Sequence, residues 1–175
     1  MVGKPLPEVW MRGPVPGIPA LLQPVAHSLL QCQEELHAHL AALQPAALWA
    51  RPGGAAAVGF HVRHAAGSLD RLFTYARGEA LSPAQYAALK VEGDPDLSVE
   101  AAATLLSGLD AAIEAALAQL RRTGEETLLE PRGVGRARLP STVLGLLFHA
   151  AEHTQRHAGQ AVTTARIIAA GEAGR

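Results

Sequence analysis

Hydrophobic residues recur at intervals of three, four and seven over four long stretches of the chain, the spacing that places them on one face of an α-helix. The first stretch runs from Ala20 to about Gln44, with Leu22, Val25, Leu29, Leu36, Leu40 and Leu43 on its stripe. Pro24 is tolerated in a first helical turn, and Pro45 is expected to close the helix. The second runs from about Ala55 to Arg77, with Val58, Val62, Ala65, Leu69, Leu72, Phe73 and Ala76 inward, and Gly78 stands where a helix-ending glycine belongs. Ser82-Pro83 reads as an N-cap followed by a first-turn proline and opens a short helix to about Val91. Past the breakers Gly93-Asp94-Pro95-Asp96, Ser98 is expected to cap a third long helix to about Arg122, carrying Val99, Leu105, Leu106, Leu109, Ile113, Leu117 and Leu120. The fourth follows Pro140, from Ser141 to about Ala170, with Val143, Leu146, Leu147, Ala150, Ala161, Ala165 and Ile168 on its stripe.

Two stretches escape this period. Residues 1–19 hold Pro5, Pro7, Pro14, Pro16 and Pro19 among three glycines, too many breakers for a helix or a central strand. Because Val9, Trp10 and Met11 sit within it, the stretch reads as an extended arm lapping over the helical body, with Trp10 as its anchor. Residues 124–140 show no period and read as a loop, in which Arg132, Arg136 and Arg138 alternate with glycines and could clamp an anionic substrate or cofactor group. The pattern therefore predicts an all-α chain: an arm over 1–19, a single four-helix bundle with a short extra helix over 20–170, and a frayed tail over 171–175.

Composition agrees with that class. The chain is 49% hydrophobic but only 4% aromatic, which favours Ala- and Leu-rich helices over a sandwich or barrel, and 175 residues suffice for one domain with a full core. Acids and bases balance to a net charge of −1, so the electrostatic footprint of a nucleic-acid binder is missing. Cys32 is the only cysteine, which excludes an internal disulfide and a multi-thiolate metal site and fits a reducing compartment. With neither an apolar segment of signal length nor a run approaching 18 apolar residues, a cytoplasmic protein without a membrane partner is expected.

The chemistry lies in the histidines, of which there are eight. His149, His153 and His157 follow one another at steps of four, and each step turns an imidazole only about 40° around a helix. All three rise along one face, but the angular count puts His149 toward the rim and leaves His153 and His157 as a pair able to reach a common point. Two such nitrogens are half of a divalent-metal site, and a third imidazole with a vacant fourth position would suit Zn²⁺ or Ni²⁺. On the second helix His61 and His64 both flank the apolar face, and periodicity slightly favours His61. Glu114 is the most inward carboxylate of the third long helix. The pair is not a HExxH motif, since Thr154 follows His153.

The segment His64-Ala65-Ala66-Gly67-Ser68, together with His153-x-x-x-His157-Ala158-Gly159-Gln160, resembles the DinB/YfiT-like superfamily of metal-dependent proteins. That resemblance implies a DinB-like four-helix bundle of up-down-down-up type, and ligands His64, His153 and His157 forming a facial site. It selects His64 over His61. Arg63 stands where many relatives carry a further histidine, and the arm and the Arg-rich loop are not general features of that family. The resemblance also implies small-molecule chemistry at a divalent metal, with a low-molecular-weight thiol as a possible cosubstrate, and pairing into a homodimer. Glu152, Gln160, His61 and His149 are the candidates for supporting or acid/base roles. Two functions are expected to compete: a metal-dependent thiol S-transferase or hydrolase, and a metal-binding bundle with a binding, sensing or stress-related role and no turnover.

Overall fold

A computed structural model describes residues 6–173. Six α-helices, among the described residues, run α1 Gln23–Leu40, α2 Pro45–Leu48, α3 Val58–Ala76, α4 Pro83–Lys90, α5 Ala101–Leu120 and α6 Val143–Ala173, and a hairpin of β1 Pro131–Val134 and β2 Leu139–Thr142 precedes α6. The four long helices form a square in which α1 and α3 each pack against both α5 and α6. Ser28 and Cys32 meet Gln155, while His39 meets Arg166 further along both helices, so α1 and α6 are parallel. His61 with His157 and His64 with His153 make α3 and α6 antiparallel. Gln33 lies beside Asp110 and Leu21 beside Glu125, which makes α1 antiparallel to α5. The order is therefore up-down-down-up, as the resemblance implied, with one crossover between α3 and α5.

The core follows the apolar stripes. Leu29, Leu36 and Leu40 of α1, Val58 and Leu69 of α3, Leu109, Ile113 and Leu120 of α5, and Leu147 of α6 are among its fully buried side chains. By length and composition α5 could cross a membrane, but here it is a wall of the bundle. Its Asp110 accepts hydrogen bonds from Gln33 and His37 of α1. Glu114, the inward carboxylate of the sequence reading, is exposed.

Departures from the expected elements lie at the ends. Helix one was expected over 20–44, but Ala20–Leu22 form a 3-10 turn and α1 closes at Leu40. Pro45 does not only break: its fixed φ opens the single turn of α2, which buries Leu48. The third long helix starts at Ala101 rather than Ser98, because the Asp96 side chain accepts the Ser98 amide in a turn, and Val99 is left exposed. The short helix is α4, opened by a reciprocal capping box between Ser82 and Gln85. Gln85 also donates to Asp70 and Thr74, which docks α4 on α3.

The stretch expected as a loop holds the hairpin, paired from Pro131 with Thr142 to Val134 with Leu139. Four-residue strands carrying one glycine and two prolines show no usable alternation, so tertiary support makes them. That support is Arg132, whose Nε donates to the Ala76 carbonyl at the end of α3 (2.8 Å) and whose Nη2 pairs with Glu130 (2.9 Å). The first amides of α6 are satisfied from the same segment, Val143 by the Glu130 carbonyl and Leu144 by that of Leu128.

The arm follows α1, but Trp10 is not its anchor. Trp10 is exposed, and Val9 and Ile18 are the buried residues instead. Polar ties complete it: the Val9 amide donates to Gln31, Arg12 forms a two-pronged pair with Glu34, and Gln23 donates to the carbonyls of Val15 and Ile18. Residues 1–5 and 174–175, which include Pro5 of the expected arm and the last two residues of the expected tail, lie outside the described residues.

Candidate metal centre

The antiparallel contact of α3 and α6 brings one imidazole of α3 against two of α6. His64, His153 and His157 each present a ring nitrogen, and these three atoms lie within 4.8 Å of one another. The Nε2 atoms of His64 and His153 are 3.0 Å apart. Two nitrogens bound tetrahedrally to one zinc ion at about 2.0–2.1 Å stand roughly 3.3 Å apart, so an ion would open this pair by only a few tenths of an ångström. Ring centroids at 4.5 Å for His64–His157 and 4.6 Å for His153–His157 keep the third imidazole in the same cluster.

The protonation states fit the same use. Burial, then the neighbouring His64 and His153, press the His157 pKa down to about 4, and burial followed by His64 lowers that of His153. Both rings are thus neutral near pH 7, the form in which imidazole binds a cation. His153 Nδ1 is buried without a hydrogen-bond partner among the described residues. The donor set, three imidazoles and no thiolate, suits a borderline divalent ion.

Around the cluster stand residues that the sequence reading passed over. Glu92, only 4% exposed, accepts a hydrogen bond from His64 Nδ1 (2.7 Å) and another from Arg71 (2.7 Å). Burial alone would raise its pKa, but the hydrogen bonds from His64 and Arg71 outweigh it and hold the carboxyl below its ordinary range. By occupying Nδ1, Glu92 fixes the His64 tautomer that leaves Nε2 facing the cluster. Arg63 donates to the carbonyls of Val91 (2.9 Å) and Asp94 (2.6 Å), strapping the Glu92 segment to α3. This is what the arginine in place of a histidine does here. Gly67 completes the arrangement: a Cβ there would fall 2.5 Å from Glu92 Oε1 and 2.8 Å from Arg71 Nη1, so any side chain at this position would push the ion pair aside.

Arg71 had one sequence signal, a charge seven residues after His64 within an otherwise apolar stripe. Glu92 had none, since it sits between a short helix and a turn with no period to mark it.

Of the other sequence candidates, His61 and His149 border the cluster and the rest lie away from it. His61 is buried, its Nδ1 is 3.0 Å from Nδ1 of His157, and burial, then the neighbouring His64, lowers its pKa. It stands behind the cluster rather than in it. His149 is exposed with its ring 5.5 Å from that of His153, and Glu152 lies 3.4 Å from its Nδ1. Glu152 is also held by Arg156, whose hydrogen bond keeps the carboxyl low. Gln160 is exposed, a turn away from the cluster. Of the three loop arginines, Arg132 is taken up in the hairpin strap, whereas Arg136 and Arg138 line open cavities. Cys32 is buried and donates to Gln155, and burial pushes its thiol up to about 12, so it behaves as a core residue.

Comparisons with known proteins agree with this picture. Comparison with curated proteins returns no match. A crystal structure of a conserved protein from Enterococcus faecalis superposes with a TM-score of 0.65 at 24% identity, over 85% of this chain and 97% of that one, which shows a shared fold. A sequence profile of the DinB superfamily matches residues 28–161, a span that includes all three clustered histidines, Glu92 and the hairpin. The square of helices in up-down-down-up order and the histidines joining its second and last long helices thus have one source: the chain belongs to the DinB superfamily.

Proposed function

We propose that this protein is a metal-dependent enzyme acting on a small molecule at a three-histidine centre formed by His64, His153 and His157, of the thiol S-transferase or hydrolase kind. The observation that carries the proposal is the convergence of three ring nitrogens, two of them neutral by burial, at the wall of an open cleft. A zinc or nickel ion held there supplies Lewis acidity, which makes a bound water or thiol a nucleophile near neutral pH.

The chain's own residues do the rest. Glu92 orients His64 through Nδ1, and His61 stands where it can hold Nδ1 of His157. His149, at the cleft wall and aligned by Glu152, is the group placed to take or return a proton at its ring nitrogen. Phe60 stacks on His64 with centroids 5.4 Å apart and shields that side from water.

A second reading, metal binding without turnover, has one observation in its favour. Both acids nearest the cluster have their oxygens engaged, Glu92 by His64 and Arg71 and Glu152 by Arg156, so no carboxylate among them stands free as a base. Elemental analysis of purified protein, followed by a screen of electrophiles with glutathione, cysteine or coenzyme A and of esters and amides without thiol, separates the readings. One divalent ion per chain, lost in His153→Ala and His157→Ala, with turnover reduced in His149→Ala, is the expected result. Variants that keep a full complement of metal sink the ligand assignment, and full metal without turnover favours the second reading.

A further inference from the structure

The cleft beside the histidine cluster holds about 500 Å³ and is lined by His64 and His153, by Leu72, Leu81 and Leu89, and by Arg136 of the hairpin turn. A second cavity of about 340 Å³ shares Tyr75, Leu81, Tyr86 and Arg136 with it and adds Arg138. The two adjoin at these shared side chains and together offer a trough of the size that takes a small organic ligand. At the end away from the histidines neither the Arg136 nor the Arg138 guanidinium makes a hydrogen bond or ion pair with any described residue, and Arg136 lies 6.0 Å from the centroid of the Tyr86 ring. The acid at that end, Glu79, is taken by Arg77 at 2.8 Å. The third arginine of the loop is spent on the α3 carbonyl and on Glu130.

We infer that the trough binds an amphipathic oxyanion: a carboxylate or phosphate held by Arg136 and Arg138, an apolar chain along Leu72, Leu81, Leu89 and the two tyrosines, and the reacting end at the histidine cluster. As a statement about substrate, this rests on the metal-centre reading above; as a statement about binding, it does not. Guanidinium forks match the planar or tetrahedral oxygens of such groups, and the three leucines with the tyrosine rings give an apolar chain a surface to lie on. The hairpin that no periodicity revealed carries both arginines to the trough, which gives this unusual loop a purpose.

Isothermal titration calorimetry with octanoate, octyl phosphate, octanol and octyltrimethylammonium, on both metal-free and zinc-loaded protein, tests the inference. At least one of the two anions is expected to bind tenfold or more tightly than octanol, with octyltrimethylammonium weakest, and the stronger anion identifies the headgroup. Arg136→Gln and Arg138→Gln, both at exposed positions and checked for unchanged thermal unfolding, are each expected to weaken anion binding fivefold or more and leave zinc content untouched. Equal binding of octanol and both anions, or arginine variants that bind as the parent does, overturns it. Zinc content measured on the same samples keeps the two proposals apart: anion binding in a protein that takes up no zinc refutes the metal centre alone, whereas full zinc without anion preference refutes the trough alone.

Discussion

Replacing Glu92 by alanine tests the centre and the fold at once. The carboxylate accepts from His64 and Arg71 at 2.7 Å each, and the Arg71 and Glu92 side chains are only 10% and 6% exposed. Removing one partner of a buried pair costs about 3–5 kcal/mol because the other charge is left uncompensated. Arg71 borders the cleft, where water can reach it, so the lower end, about 3 kcal/mol, applies. The same substitution frees Nδ1 of His64, and losing the acceptor behind a metal-binding imidazole weakens the metal by about 10–100-fold. Urea unfolding of metal-free protein reads the first quantity, and competition for zinc against a chromophoric chelator reads the second. The pair Arg71→Leu/Glu92→Leu separates them, since replacing a whole buried ion pair by apolar residues is close to neutral for stability, yet the acceptor is still missing. Glu92→Ala with stability within about 0.5 kcal/mol of the parent, the scale of an ordinary surface change, would refute the buried-pair account. Unchanged zinc affinity in both variants would refute the orienting role.

Three further outcomes follow from the geometry. Gly67→Ala is expected to reproduce part of the Glu92 phenotype, losing about 1–3 kcal/mol and weakening zinc, because its methyl displaces the ion pair; a silent substitution would count against the close approach. His61, His153 and His157 all have folded pKa values below the ordinary 6.5, so the unfolded chain binds more protons in that range. Stability of the metal-free protein should therefore be full above pH 6.5 and fall as pH drops toward about 4, the His157 value, and a melting temperature that is flat over this window contradicts it. Val9→Ala should cost about 1–2 kcal/mol through lost burial while Trp10→Ala changes little, and the reverse order in thermal melts would restore Trp10 as the anchor.

Much of the architecture was legible because helices announce themselves locally. Stripes at three, four and seven marked all four long helices, and Ser82-Pro83 marked α4 through capping chemistry that needs only neighbouring residues. The same local rule placed His153 and His157 side by side before any fold was known, since one turn of helix brings them there. What it left open was the third imidazole. His61 and His64 flank one face of α3, and which of them meets α6 depends on the rotation and offset of two packed helices, a property of neither sequence segment. The resemblance named His64, and the structure puts that residue in the cluster with His61 behind it.

Other features depended wholly on distant parts of the chain. The hairpin exists because Arg132 reaches the end of α3 and because the first amides of α6 need acceptors. Glu92 gains its partners only when its segment folds back over α3, and Gly67 owes its significance to the ion pair above it rather than to any turn. Sequence by itself determined the helices, their buried faces and the histidine pair, because backbone hydrogen bonding and periodicity are settled within a few residues. Tertiary structure alone decided the third histidine's alignment, the carboxylate that holds it and the cleft it faces, because each joins residues whose meeting is set by the packing of whole helices.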